Sequence, residues 1–104
     1  MSDAELSSAD VATLRAVAVE LSTIPARENA AAGSVAADLA RVAHAAEAGT
    51  EDLRAALGNF AFDDAIAFLE FATIEANTSA RREIALLRRH ACAILLRLKA
   101  AHGA

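Results

Sequence analysis

Apolar positions in this chain recur at three- and four-residue intervals, the period of helices buried on one side, and nowhere alternate as in a strand. Val11, Leu14, Val17, Ala18, Leu21 and Ile24 share one face that ends at Pro25, with Ser7 or Ser8 as N-cap and Asp10 in the first turn. A second helix is expected over about residues 28–48, striped by Val35, Leu39, Val42 and Ala46 and stopped by Gly49. The third opens with Thr50 as its cap, where Glu51 and Asp52 suit the positive end of the helix dipole. Gly58-Asn59 either ends that helix, leaving another over about 60–77, or kinks one helix running from 51 to 77. The last helix starts at Thr78 or Ser79 and reaches His102, with Ile84, Leu87, Ala91, Ile94, Leu95 and Leu98 as its core stripe and Gly103 as its stop. The expected fold is therefore all-α: an up-and-down bundle of four long elements, the third intact or broken at Gly58-Asn59. It would form a single domain over residues 1–104, with residues 1–7 frayed.

Residues 60–77 depart from this one-sided pattern. On a helical wheel Phe62, Ile66, Leu69 and Thr73 form one apolar face, while Phe60, Phe68, Phe71 and Ile74 form a second, with Asp64 and Glu75 beside it. Asp63, Glu70 and Asn77 occupy the polar strip, and all four phenylalanines of the protein lie on this segment. The last helix repeats the pattern more mildly, since Leu86, Ala93 and Leu96 lie away from its core stripe. Phe60, Phe68, Phe71, Ile74, Leu86 and Leu96 are accordingly the candidate interface residues, and a second copy of the chain is the first partner to consider.

Composition narrows the picture. Of 104 residues 56% are hydrophobic, but alanine supplies 30 of those 58 positions, so the core must come from closely approached helices rather than bulky side chains. No window reaches 18 apolar residues free of charge, and the first ten residues carry three acids and no cation, which is unlike a transmembrane helix or a signal peptide. A cytoplasmic protein is expected. The lone cysteine, Cys92, excludes an internal disulfide and a Cys-rich zinc site. Nine arginines against one lysine, with so much alanine, suit a GC-rich bacterial coding sequence or a designed chain.

The net charge of -4 is divided unevenly, as -9 over residues 1–80 and +5 over residues 81–104. Arg81, Arg82, Arg88, Arg89 and Lys99 group on the last helix and are the candidate contacts for carboxylates or an anion. Either they dock on acidic surface of this fold or of a sister chain, or they meet a polyanion. The acidic majority argues against nucleic acid, and no aromatic stacking residues or recognition helix accompany the arginines.

Catalytic chemistry has thin material. His44 and Glu47 sit three apart on one helical face, but no Glu-x-x-His element matches them, so no metal or other cofactor is expected. His90 lies at the edge of the last helix's core face with Glu83 and Arg97 a heptad on either side. A heptad spans about 10.5 Å of rise, so these three line at most a shared pocket. Glu70, Asp64 and Glu75, near phenylalanine, are the candidate raised-pKa bases. The stretch Ala43-His44-Ala45-Ala46-Glu47-Ala48-Gly49 faintly resembles a histidine phosphotransfer domain, with glutamate where that family has lysine; the resemblance implies His44 as an exposed phosphoryl acceptor. Arg97-Leu98-Lys99-Ala100-Ala101-His102 resembles the arginine–histidine motif of HEPN ribonucleases, which implies a catalytic role for Arg97 and His102.

These observations favour a small acidic helical protein, leaning non-enzymatic, that works through a protein interface as a homodimer or as an inhibitor-, immunity- or antitoxin-type binder. The alternatives are an anion or nucleic-acid binder acting through the basic last helix, or a bundle with a small ligand or catalytic pocket near Phe68, Phe71 and His90.

Overall fold

Reciprocal capping at Ser7 sets where the first helix begins in the structure, a computed structural model that describes residues 6–74 and 78–103. The Asp10 N–H donates to Ser7 Oγ at 3.1 Å and the Ser7 N–H donates to Asp10 Oδ2 at 3.2 Å, so two otherwise orphaned donors are met. Helix α1 then runs Ser8–Ser22, and a turn through Pro25 leads to Asn29, whose Oδ1 accepts from the Ala31 N–H and caps α2, Ala30–Ala48. Helices α3, Thr50–Gly58, α4, Phe62–Phe71, and α5, Thr78–Gly103, complete the chain. The described residues are thus all-helical in five helices rather than four long elements, because the third element breaks at Gly58-Asn59.

Three boundaries differ from the sequence expectation, each for a local reason. Gly49 rather than Thr50 caps α3: at φ 154° and ψ 170° it ends α2, donating to the Ala45 carbonyl, while its own carbonyl accepts from the Leu53 N–H. That backbone conformation is almost exclusive to glycine. Helix α2 begins at Ala30, two residues after the expected start near 28, because Asn29 caps it. Helix α4 stops at Phe71 instead of continuing toward 77, because Ala72 turns extended at ψ 136° and its carbonyl accepts from Arg88 Nη1 at 3.3 Å. Asn77 lies outside the described residues, as do residues 1–5 of the segment expected to fray.

One continuous apolar cluster draws on all five helices: Leu14, Val17 and Leu21 of α1, Leu39 and Val42 of α2, Leu53 and Leu57 of α3, Ile66 and Leu69 of α4, and Leu95 and Leu98 of α5. Ala18, Ala32, Ala36, Ala43, Ala65 and Ala91 are buried among them, which is how an alanine-rich chain closes its interior. Helix α5 runs antiparallel to both α1 and α4. Arg97 meets Asp10 and Arg88 meets Glu20 on α1, while Lys99 meets Asp63 and Cys92 meets Glu70 on α4. No helix among the described residues is long and apolar enough to cross a membrane.

Candidate functional site

The expected second face of residues 60–77 is divided by the structure. A wheel drawn through 77 places Phe60, Phe68, Phe71 and Ile74 together, but the helix covers only 62–71, so Phe60 and Ile74 are off it. Phe60 is buried and stacks edge-to-face on Phe62 with centroids 4.9 Å apart, and Phe68 is buried beneath the Arg88 guanidinium, 5.9 Å from its ring centre. These two belong to the core. Phe71 is 81% exposed and Ile74 half-buried.

Helix α5 has two distinct sides. Arg88, Ala91, Cys92, Ile94, Leu95 and Leu98 are buried, with Ile84 and Leu87 half-buried at the same side. On the other, Leu86, Ala93, Leu96 and Ala100 are exposed, with Leu86 and Leu96 each at 48%. Together with Arg82 and Arg89 these residues alternate at four- and three-residue steps, the spacing of a coiled-coil seam. Beside that stripe a cleft of 420 Å³ opens between α4 and α5, lined by Leu69, Glu70, Arg89, Cys92, Ala93 and Leu96 among others. Glu70 thus stands on one wall and Arg89 on the other.

The basic group of α5 also separates. Arg88 is 2% exposed and makes a two-pronged pair with Glu20, Nε to Oε1 at 2.7 Å and Nη2 to Oε2 at 2.8 Å, so it belongs to the interior and not to an anion-facing surface. Lys99 donates to Asp63 at 2.5 Å. Arg81, Arg82 and Arg89 are exposed and form no ion pair among the described residues. The sequence placed Arg88 with its neighbours because charge alone does not reveal burial; its i−4, i+3 and i+7 neighbours Ile84, Ala91 and Leu95, all on the core stripe, are the signal that locates it.

Glu83, His90 and Arg97 do not converge. All three are exposed, none lines the α4–α5 cleft, and Arg97 is engaged at 2.6 Å by Asp10. Burial pushes the Asp10 carboxyl up, but hydrogen bonds from Arg97 and Ser7, with the Arg97 charge, outweigh it and hold the group below its ordinary range. Phe68 and Phe71 do line a separate cleft of 580 Å³ between α2 and α4, without His90. His44 is exposed, with Glu47 drawn to Arg15, and His102 lies by the Phe62 ring. Asp64 and Glu70 are exposed, and Glu75 lies outside the described residues. Cys92 donates its thiol hydrogen to Glu70 Oε1 at 3.5 Å; burial, then the hydrogen bond and charge of Glu70, push the thiol up, so it stays protonated at neutral pH. Among the described residues no three His, Cys, Asp or Glu side chains gather as metal ligands.

Compared with known proteins, the chain matches no protein-family model, no curated protein and no solved structure.

Proposed function

We propose that this protein acts by binding another polypeptide through the outer face of α5 and the α4–α5 cleft, and not by catalysis. The observation that carries the reading is the second apolar stripe of α5, Leu86, Ala93, Leu96 and Ala100, left in water although the helix already buries its other side. Exposed apolar residues scattered singly need no explanation, but a stripe repeating at helical spacing beside an apolar cleft is what a partner helix covers. Arg82, Arg89 and Glu70 supply a charged rim around that centre, as interfaces ordinarily do. Helices α4 and α5 frame the face, and with α1 and α2 they fit an antiparallel bundle in which α3 is a short connector. A polyanion reading has less to stand on, since Arg88 and Lys99 are committed to Glu20 and Asp63.

The test is a photoreactive phenylalanine analogue placed at position 86 or 96 of the folded protein in the cells that produce it, with position 37 as control. Ala37 is exposed in a different cleft, between α1 and α2. Covalent capture of a polypeptide from 86 and 96 but not from 37 is expected. A folded protein that captures nothing from 86 or 96, or that captures equally from all three, overturns the reading.

A further inference from the structure

We infer that the polypeptide covering this face is a second copy of the same chain, docked with its α5 antiparallel across a twofold axis at Ala93; this rests on the interface reading above. A twofold interface must be complementary to itself, so a face that serves it needs large against small and acid against base within one patch. The α5 stripe offers large beside small, and Glu70 of α4, on the opposite wall of the cleft, adds the acid to the stripe's Arg89. Centred on Ala93, an antiparallel seam sets Ala93 against its own copy, Leu86 against Ala100 of the second copy, and Arg89 one residue out of level with Leu96 of the second copy, its neighbour along the stripe. The smallest side chain then falls on the axis, where two helix backbones come closest. Each end of the seam, about 21 Å long, pairs a leucine with an alanine.

Charge selects the orientation. A parallel, in-register seam would stack Arg82 on Arg82 and Arg89 on Arg89, and like charges facing each other at a contact are repulsive. The antiparallel seam separates them and delivers each Arg89 beside Leu96 of the other copy, whose cleft Glu70 also lines. Arg89 forms no ion pair in its own chain among the described residues, and Glu70 has the Cys92 thiol as a neutral neighbour, so both charges are available to the second copy.

Sedimentation equilibrium of the purified protein tests this. The wild type is expected to reach twice the chain mass of 10.8 kDa in the micromolar range. Ala93→Arg, which sets two guanidinium groups on the axis, is expected to weaken association by roughly a hundredfold with helicity unchanged. Glu70→Arg weakens it too, and Glu70→Arg combined with Arg89→Glu restores it. A wild type that stays monomeric overturns the inference, as does a dimer indifferent to Ala93→Arg and Glu70→Arg while both variants remain folded. If the wild type is monomeric yet positions 86 and 96 still capture a different polypeptide, the self-association falls and the interface reading stands; a monomer that captures nothing removes both.

Discussion

A guanidinium taken out of water costs several kcal/mol unless its donors are met. Arg88 meets that cost with both carboxylate oxygens of Glu20, the Ala72 carbonyl and the face of Phe68, tying α1, the end of α4 and α5 at one point. The two partners are not equivalent, because the Arg88 side chain is 2% exposed and that of Glu20 16%. Glu20→Ala strands a buried cation and is expected to destabilise the fold by about 3–5 kcal/mol. Arg88→Met, which keeps the volume and leaves Glu20 a path to water, is expected to cost less. Urea-unfolding midpoints decide, and equal losses would contradict the assignment of Arg88 as the more buried charge. Asp10 gives a pH-dependent counterpart. Its folded-state pKa lies below the ordinary 3.8, so its contribution is present above that pH and is lost as pH falls below it toward the folded value. The stability gap between wild type and Asp10→Asn should therefore shrink once pH drops below about 4. A gap that is the same at neutral and acidic pH would exclude the Arg97 and Ser7 contacts as its source.

At the scale of elements, the apolar period marked the helical stretches but left open whether the third breaks at Gly58-Asn59, and capping residues set several ends to within a residue or two. Ser7 with Asp10, and the stop at Gly49, were legible because their chemistry is local. The end of α4 was not, since it depends on a carbonyl taken by Arg88, 16 residues further on in α5. The same non-local contact explains why Phe68 read as a surface residue: its cover comes from elsewhere in the chain. Two glycines should respond oppositely to substitution. Gly33 lies inside α2 with open space around a would-be Cβ, so Gly33→Ala should stabilise the protein by about 0.5–1 kcal/mol. Gly49, held at φ 154°, should lose about 1–3 kcal/mol on change to alanine. Thermal midpoints moving in the same direction for both would refute the backbone argument.

Seen whole, the molecule resolves much of the -9/+5 division of charge within itself: Arg88 pairs with Glu20, Arg97 with Asp10 and Lys99 with Asp63, each drawing α5 onto the acidic part of the chain. The exposed pair Lys99–Asp63 adds little stability, so its value lies in register more than strength. Left out of the described ion pairs of α5 are Arg81, Arg82 and Arg89, the last two set among Leu86, Ala93 and Leu96 on the outer side of α5. Leu86, Ala93 and Leu96 were already visible in the sequence as surplus apolar positions. Phe60 and Phe68, which looked surplus on the same grounds, were not, because periodicity shows that a residue is apolar on a given side without showing which neighbour covers it. In the self-association inferred above, this outer side faces its own copy antiparallel across Ala93. Oxidation of Ala93→Cys in a Cys92→Ala background tests it most directly, because a disulfide needs the two Cα atoms within about 4.4–6.8 Å of each other. A disulfide-linked dimer is expected from Ala93→Cys and none from Leu86→Cys alone. A monomeric Ala93→Cys, or a Leu86→Cys that links to itself, would contradict it.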